Sequence, residues 1–584
     1  MCNLTKILVC SIAIMVIIVS CSSRDTEKEI KVRKGNYLNL RILGVVEGRK
    51  GMASLASSSK IQPASDGVIV SSKEGVDFLV KTEARELPKS NEMASLAKIA
   101  NIAVDANVKA ITNGAMYEIL IYKDSDTEHK KAIKITQDTN FQDIEDLEEG
   151  AEYSWFAYSF NTTGFGNEKP LPDLENQSGN LYSTDIKDQD LLYASGSFKA
   201  VSGKNDLNIT FAHQTAIINL IIDSQGMSGP IAEESPLIQL SNGAGVNFLK
   251  EGDFNIFDGV FNNLKERKGP YIAKDSLPDY DNIGKFFRKI YRITTVVENP
   301  VNIGENSLYA QLGMNIIRKD PGTANGQPIR IPDHVGLKNI NFQFDNGSIY
   351  TFSLSALESG VKVNGVTWAR TNYAGTESLW RLSVDNKWRD NGSGTYTWPY
   401  KRYLDGSFQD SLSIAGNDVC TMLYPHVWRL PTQHDFDSLL KSGQSKTAVG
   451  YPAKNITSND GLYGIQFELD SDQKPVVSYP QYSQKLLLQS SGYQVNPGGQ
   501  PHKETSSGYS HYPGKGPETV GGYFWTKENN GSVGLATIRV EISATDIASV
   551  PSPISRYYTL TTDMPTIVGP NGDDYRYSVR CVRK

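Results

Sequence analysis

A recurring period of two among the apolar residues is the feature that most limits the folds open to this chain. Segments with this period of two recur between residues 76 and 314, for example MYEILIYK at 116–123 and AEYSWFAYSF at 151–160. A period of two places every second side chain on the same face of a β-strand, so each segment predicts a half-buried strand. Few segments show the longer period of an amphipathic helix. The sequence therefore predicts a mainly β fold made of antiparallel β-sandwiches.

The length of the chain indicates several domains, and its pattern changes near residue 361. A chain of 584 residues is too long for one hydrophobic core, and its length suggests about three or four domains. After residue 361, tryptophan becomes frequent and loops rich in Gly, Asn and Ser lengthen, which is typical of a loop-rich α+β domain. We therefore divide the chain into a signal peptide (1–20), an N-terminal tether (21–75), a first β-sandwich (76–205), a second β-sandwich (206–360) and a C-terminal domain (361–584).

An isolated strand is predicted inside the tether. The segment YLNLRILGVV at 37–46 places Leu38, Leu40 and Ile42 on one face, as in a half-buried strand. A basic stretch flanked by glycines, GRKG, follows it and contains Arg49. Exposed stretches of small and polar residues are preferred sites of proteolysis.

One helix is predicted in the C-terminal domain, in the segment TQHDFDSLLK at 432–441. Thr432 is suited to cap it, because its hydroxyl can accept a hydrogen bond from a free backbone N–H of the first turn. Asp435 then lies at the third helical position, where a carboxylate suits the helix dipole.

The first 20 residues have the pattern of an export signal. Lys6 precedes an uncharged apolar run at 7–19, which is shorter than the roughly 20 apolar residues of a membrane-spanning helix. The segment IVSC at 18–21 resembles a bacterial lipobox. That resemblance implies that Cys21 receives lipid and anchors the chain to the outer membrane. A plain signal peptide with an incidental cysteine is the alternative.

Two cysteines remain beyond this segment. Cys2 and Cys10 lie in the signal, which leaves Cys420 and Cys581. An even pair in an exported chain predicts one disulfide, since export compartments are oxidising. Two buried free thiols are the alternative.

The sequence has no pattern of a catalytic or metal site. Its seven histidines show no H-E-x-x-H or clustered Cys/His spacing, and no G-x-S-x-G, phosphate-loop or dinucleotide pattern occurs. His213 lies within a strand pattern and is expected to be a core or hydrogen-bonded residue. The net charge of −6 gives no basic footprint for nucleic acid. We therefore expect no enzyme activity, no catalytic residues, no cofactor, no metal and no nucleic-acid partner.

The first part of the chain resembles a known family of surface proteins. LEEGAEYSWFAYSFNT, DLLYASGSFKAV and LNITFAHQTAIINLII, which follow one another along the chain, resemble the middle of fimbrillin-family proteins of Bacteroidales. The resemblance covers roughly residues 20–360. It implies a lipidated precursor with two transthyretin-like β-sandwich domains that assembles into fimbriae on the outer membrane. The chain looks most like a minor, accessory subunit of the major fimbriae of Porphyromonas-like bacteria.

The C-terminal part resembles a different module. NGVTWARTNY, Cys420, VWRLPTQHDFDSLL, GYFWTKE and YSVRCVRK resemble, in this order, the major paralogous domain of Fibrobacter type. The resemblance implies a C-type-lectin-like or sulfatase-modifying-factor-like fold, in which Cys581 pairs with Cys420. The segment TMLYPHV after Cys420 is longer than the usual linker of this module.

The fimbrillin resemblance also implies an assembly mechanism. In that family an N-terminal strand fills a groove until a trypsin-like protease cuts after an arginine, and a partner's strand then fills the same groove. Here the strand at 37–46 suits the removable role, and Arg49 is the expected cleavage site. Arg33 and Arg85 are rival sites, and an ordinary first strand with an uncut linker is the alternative. A bridged Cys581 would prevent donation of the C-terminus.

The sequence therefore predicts an accessory structural component at or near the tip of surface fimbriae, exported as a lipoprotein and contributing to adhesion. The expected partners are other fimbrial subunits through strand exchange, the outer membrane through lipid on Cys21, and a host protein or glycan as ligand. The alternative is a glycan-binding lipoprotein of the outer membrane that does not polymerise. Its motivation is the tryptophan-rich C-terminal domain, since aromatic platforms suit sugars.

Overall fold

The structure is a computed structural model that describes residues 35–46, 67–70, 75–86, 108–111, 114–124, 132–133, 141–144, 147–162, 171–172, 174, 179–227, 229–232, 238–242, 245–267, 269, 271, 273–278, 286–298, 301–303, 308–318, 327–330, 335–337, 342–373, 382, 397–399, 402–403, 408–409, 418–439, 446–451, 462–476, 479, 483–489, 493–495, 501–502, 518–527, 533–542, 552–553, 558–563 and 575–584. Every structural statement below concerns these residues. Most of them lie in strands and few lie in helices, so the predicted mainly β fold class is confirmed.

The first sheet is built from the N-terminal part of the chain. The elements of this part are β1 Tyr37–Val46, β2 Val68–Val70, β3 Val76–Glu86, β4 Val108–Lys109, β5 Tyr117–Lys123, β6 Ala132–Ile133, β7 Phe141–Ile144, β8 Glu152–Ser159, β9 Asn180–Leu181, α1 Ser183–Ile186, β10 Leu192–Lys199 and β11 Lys204–His213. The sheet has the order β4-β1-β11-β10-β8-β5-β6, and β7 also pairs with β1. Its core includes Leu40, Ile119, Trp155 and Phe211.

The middle part of the chain forms a two-sheet sandwich. Its strands are β12 Ala216–Gly226, β13 Ile238–Asn242, β14 Lys250–Asn255, β15 Val260–Glu266, β16 Ala273–Pro278, β17 Phe286–Thr295, β18 Val301–Ile303, β19 Leu308–Leu312, β20 Asn315–Arg318, β21 Gln327–Arg330, β22 Val335–Leu337, β23 Phe342–Phe344 and β24 Ser348–Glu358. One sheet has the order β16-β17-β12-β24-β3-β2, and the facing sheet has the order β13-β19-β22. Ile218 and Phe352 from the first sheet and Leu240 and Leu312 from the second share one core.

Two predicted domain boundaries do not coincide with these sheets. The sequence assigned β3 to the first sandwich at 76–205, whereas β3 pairs over its whole length with β24 of the second sheet. The predicted boundary at 205/206 falls within β11, which lies entirely in the first sheet. Likewise, β1 and β2 were assigned to a tether at 21–75, but each is a strand of one of the two sheets. An alternating pattern predicts that a strand forms, but its partner depends on contacts that are distant in sequence.

The C-terminal part of the chain starts a new sheet after β24, which ends at Glu358. Its elements are β25 Val361–Val363, β26 Val366–Trp368, β27 Thr397–Pro399, β28 Arg402–Tyr403, β29 Phe408–Gln409, a 3-10 helix Val419–Met422, β30 Trp428–Arg429, α2 Gln433–Ser438, β31 Lys446–Tyr451, β32 Leu462–Phe467, β33 Leu486–Gln489, β34 Tyr493–Val495, β35 Pro501–His502, β36 Glu518–Lys527, β37 Val533–Ile542, β38 Ser552–Pro553, β39 Tyr558–Asp563, β40 Tyr575–Ser578 and β41 Val582–Arg583. The sheets have the orders β25-β26-β41-β30, β35-β34-β40-β36-β37-β39 and β33-β32-β31-β38. Trp368, Phe436 and Val582 lie in one core.

Helix α2 begins as the sequence predicts and ends at Ser438 rather than at residue 441. Thr432 Oγ1 accepts a hydrogen bond from the Asp435 N–H at 3.1 Å, and the Thr432 N–H donates to Asp435 Oδ2 at 2.7 Å. Arg429 donates to both Asp435 oxygens, at 2.6 and 3.1 Å. Burial alone would raise the pKa of Asp435, but the hydrogen bonds from Arg429 and Thr432 outweigh it and hold this pKa below its ordinary value.

The sandwich and the C-terminal part pack directly on each other. The Tyr479 hydroxyl donates to the Gly75 carbonyl at 2.8 Å, and the Ser359 N–H donates to the same carbonyl at 3.0 Å. Gly75 has a φ of +95°, and a Cβ there would collide with the Tyr479 ring, so both its conformation and its space require glycine. The Ser355 and Tyr424 hydroxyls lie 2.8 Å apart on the same interface.

Candidate functional site: the groove filled by β1

Strand β1 fills a groove in the first sheet. It runs parallel to β11, with Leu40 opposite Leu207 and Ile42 opposite Ile209, and antiparallel to β7 and β4. Leu38 and Leu40 are 0% exposed and Ile42 is 9% exposed. The bounds and the buried face that the sequence predicts for this strand are confirmed. Its removal from the fold stays a prediction.

The neighbouring strand β11 depends on β1 for most of its pairing. On its other side, β10 pairs with β11 only at Ala212 and His213. The residues of β11 from Lys204 to Phe211 pair with β1. A strand that loses its neighbour presents free N–H and C=O groups, and beside an apolar groove such an edge accepts another strand. Loss of β1 would therefore leave an unpaired edge on β11 beside an apolar groove.

The chain leaves the first sheet directly after β1. β2 and β3 lie in the second sheet, and β4 returns to the side of β1. On its C-terminal side, β1 is therefore joined to the rest of the fold only by the segment 47–66. A cut in this segment would leave β1 held by strand pairing and side-chain packing alone.

The position of β1 distinguishes between the three candidate cleavage sites. Arg49 is the only arginine in the segment 47–66. A cut at Arg33, which precedes β1, would leave β1 joined to the fold. Arg85 lies within β3 opposite Ile349 of β24, where a paired backbone resists proteases. Arg49 itself, Arg33 and the predicted lipid-bearing Cys21 lie outside the described residues.

The structure brings the two cysteines of the predicted disulfide together near the C-terminus. Cys420 and Cys581 form a disulfide, with their Cα atoms 5.7 Å apart. β41 follows directly and pairs with β26 at Trp368 and with β30 at Trp428 and Arg429. The buried residues of this terminal segment are Val579, Arg580, Cys581 and Val582. The C-terminal strand is therefore part of the core of its domain.

A buried cation, which the sequence reasoning did not single out, fixes this strand further. Arg580 is fully buried, and its Nη1 and Nη2 donate to the carbonyls of Ala369 at 3.1 Å and Leu487 at 2.8 Å. Burial lowers the pKa of Arg580 to about 9, and the Glu358 carboxylate acts in the opposite direction. The only signal in the sequence is the place of this arginine directly before the bridged Cys581.

Three tryptophans of the C-terminal domain lie in its core. Trp368 and Trp525 are 0% exposed and Trp428 is 1% exposed. They pack against other apolar side chains and cannot form a surface platform for a sugar ring. Trp380 and Trp388 lie outside the described residues. The glycan-binding alternative therefore receives no support from the three tryptophans whose burial is described.

His213 is hydrogen-bonded, as the sequence predicts. Its Nδ1 lies 2.8 Å from Oδ1 of Asp190, and both side chains are nearly buried. Among the described residues, no group of three or more His, Cys, Asp or Glu side chains is placed to hold a metal ion. In the same part of the chain, no helix combines the length and the apolar character needed to span a membrane.

Comparisons with known proteins give distant likenesses to solved structures. No protein-family model matches the chain, and no curated protein sequence matches it. A candidate adhesin from Bacteroides thetaiotaomicron is 12% identical at a TM-score of 0.22, over 38% of this chain and 73% of that chain. A candidate cell adhesion protein from Bacteroides fragilis is 10% identical at a TM-score of 0.23, over 43% and 86%. The fimbrial anchor protein Mfa2 from Porphyromonas gingivalis is 15% identical at a TM-score of 0.19, over 34% and 70%.

These values are too low to support an inference about function. The resemblance to fimbrillins and to the Fibrobacter-type domain therefore stays a prediction. The two features of the fold that bear on function are the groove of β1 and the fixed C-terminus.

Proposed function

We propose that this protein is an accessory structural subunit of surface fimbriae that accepts a strand from a neighbouring subunit in place of β1. In this proposal, the chain is exported as a lipoprotein whose lipid on Cys21 holds it at the outer membrane. Cleavage after Arg49 separates β1 and the lipid from the rest of the chain. The subunit then joins the fimbrium.

The observation that carries this proposal is the place of β1 in the fold. Its apolar side chains Leu38, Leu40 and Ile42 fill the groove, and burying each is worth roughly 1.5 to 3 kcal/mol. Cleavage after Arg49 removes the only covalent link on the C-terminal side but none of this packing. Release of β1 is therefore expected to need a replacement strand that buries a similar apolar surface. Such an exchange makes the assembly step dependent on a partner.

The bridged and buried C-terminal strand supports a position of this subunit at the end of a filament. Donating the C-terminal strand would require opening the Cys420–Cys581 bridge and exposing the buried Arg580. Both changes are unfavourable, because the first breaks a covalent bond and the second takes the buried side chains of Val579 and Val582 out of the core. The subunit then accepts a strand but does not offer its C-terminus. The proposal includes a contribution to adhesion, through a host protein or glycan bound by the C-terminal domain, for which an end position is suited.

The experiment that tests the proposal compares two arginine variants in the bacterium that makes the protein. Fimbriae are isolated from cells that express wild type, Arg49→Ala or Arg33→Ala, and each fraction is probed for the chain. Arg49→Ala is expected to stay uncut in the outer-membrane fraction and to be missing from fimbriae, while Arg33→Ala is incorporated normally. Incorporation of Arg49→Ala at the wild-type level would contradict the proposal.

A further inference from the structure

The strand that fills the groove is irregular, although the groove is regular. On β11, the buried side chains of Leu207, Ile209 and Phe211 alternate without interruption. On β1, Leu40 lies opposite Leu207 and Ile42 opposite Ile209, but Val45 instead of residue 44 lies opposite Phe211. The register shift lies between Ile42 and Gly44, so the irregularity belongs to β1 alone.

The irregularity is a β-bulge at Leu43. Ile42 pairs with Ile209 and Gly44 pairs with Thr210, which leaves Leu43 without an opposite residue on β11. A bulge of this kind disrupts the ladder locally and bends the strand. Gly44 has a φ of +139°, a conformation that side chains other than glycine rarely adopt. β1 therefore reaches the last apolar position of the groove only through a local distortion.

The strands on the other side of β1 do not require this distortion. β7 pairs with β1 from Leu38 to Arg41, and β4 pairs with it at Val45 and Val46. The bulge lies between these two pairings. A strand without the bulge could therefore keep the pairing with β7. It would reach Phe211 and the pairing with β4 one residue earlier in its own sequence than β1 does.

We propose that β1 is a suboptimal occupant of its groove, and that the partner is an extended strand of another polypeptide with four apolar side chains in unbroken alternation. The inference rests on the proposed function, and it adds the sequence pattern that the partner carries. The partner strand runs parallel to β11, with apolar residues at i, i+2, i+4 and i+6. In β1 the corresponding residues lie at i, i+2, i+4 and i+7, namely Leu38, Leu40, Ile42 and Val45. The better fit of a regular strand favours exchange once the link after β1 is cut.

The test uses three peptides and the full chain cut between β1 and β2. A recognition sequence for a site-specific protease is inserted after Arg49, the chain is cut, and capture of fluorescent peptides is measured by anisotropy. The peptides are residues 36–46, the same sequence without Leu43, and the same sequence without Leu40. Removing Leu43 restores unbroken alternation, whereas removing Leu40 gives a peptide of the same composition that has a polar residue, Asn39 or Arg41, opposite Leu207.

The peptide without Leu43 is expected to bind about three- to fivefold more tightly than the native peptide, since one regained cross-strand pair has this size. The peptide without Leu40 is expected to bind more weakly than the native one. Equal or weaker binding of the peptide without Leu43, with clear capture of the native peptide, would overturn this inference and leave the proposed function intact. Failure of the cut chain to capture the native peptide would instead contradict the proposed function.

A second measurement does not depend on strand exchange. Deleting Leu43 from the uncut chain is expected to raise the denaturant concentration at the midpoint of unfolding of the first sheet. The reason is that β1 then pairs without a bulge. Deleting Leu40 is the matched control and is expected to lower that midpoint, because a polar residue then lies opposite Leu207. A lower midpoint after deletion of Leu43 would show that the bulge suits the groove, and the inference would be wrong.

Discussion

Nη2 of Arg583, in the last strand of the chain, lies 2.8 Å from Oδ2 of Asp77, in the strand β3 of the sandwich. The same nitrogen donates to the Glu358 carbonyl at 2.7 Å, and the guanidinium carbon lies 4.8 Å from the centre of the Trp428 ring. Both charged side chains are nearly buried. The C-terminus is thus held inside its own domain by the disulfide and against the neighbouring domain by this ion pair.

Replacing Arg583 with Met is expected to destabilise the chain by about 3 kcal/mol, because it removes the cation that compensates the buried Asp77 carboxylate. The measurement is the denaturant midpoint of the C-terminal domain. The matched control is Lys485→Met, which breaks the more exposed pair with Glu468 and is expected to change stability by less than about 1 kcal/mol. Equal effects of the two variants would contradict the structural role assigned to Arg583.

Replacing Leu40 with Ala is expected to destabilise the uncut chain by about 2 to 5 kcal/mol, because it opens a cavity in the core of the first sheet. The same variant is expected to leave the assembled subunit unchanged, since β1 has been exchanged there. Thermal unfolding of the uncut precursor and of isolated fimbriae measures both effects. Asn39→Ala, on the opposite face of β1, is the control for the strand itself. A loss of stability in the assembled form would mean that β1 remains.

The stabilisation of the chain by the capping box of α2 is expected to be lost in acid. The pKa of Asp435 lies below its ordinary value of 3.8 in the folded chain. The charge of Asp435 therefore contributes fully to the free energy of unfolding above that pH. The contribution is lost as the pH falls from about 3.8 through the lower, folded-state pKa. Asp435→Asn is expected to cost about 1.5 to 3 kcal/mol at neutral pH, since it removes a charged partner of Arg429.

The measurement is the stability difference between wild type and Asp435→Asn from neutral pH down to about pH 2, which is expected to shrink below the ordinary carboxyl pKa. Asp437→Asn, on the exposed face of the same helix, is the control. A difference that stays constant down to the lowest pH would show that the Asp435 charge contributes nothing.

Removing the disulfide is expected to weaken the C-terminal domain without affecting the groove. The bridge spans a sequence separation of 161 residues, and removing a native disulfide typically costs about 2 to 5 kcal/mol. The double variant Cys420→Ala, Cys581→Ala should therefore unfold its C-terminal domain at lower denaturant. Capture of the β1 peptide by the cut double variant should equal that of the cut wild type. A parallel loss of peptide capture would mean that the two ends of the chain are coupled.

The sequence was most informative where a structure depends on neighbouring residues. The bounds of β1, its buried face and the capping box of Thr432 and Asp435 follow from local periodicity and from the chemistry of helix ends. The mainly β class follows from the same alternation. The hydrogen bond of His213 is also of this local kind, because a polar ring within a strand needs a partner.

Features that depend on distant residues could not be predicted in the same way. Nothing within β3 indicates that its partner is β24 rather than a strand of the first sheet. The bulge at Leu43 is defined only by the register against β11. The role of Arg583 depends on Asp77, which is far away in the sequence and belongs to another domain. Lipid on Cys21 and cleavage after Arg49 are chemical events that no fold displays, and they stay predictions.

The central claim is that β1 is cut away and exchanged, and the N-terminal sequence of the protein in isolated fimbriae tests it most directly. Strand exchange predicts that the mature chain begins at Lys50, directly after Arg49, and that the chain before assembly has a blocked, lipid-modified Cys21. Fimbriae in which the chain still carries a lipid-modified Cys21 joined to β1 would contradict it.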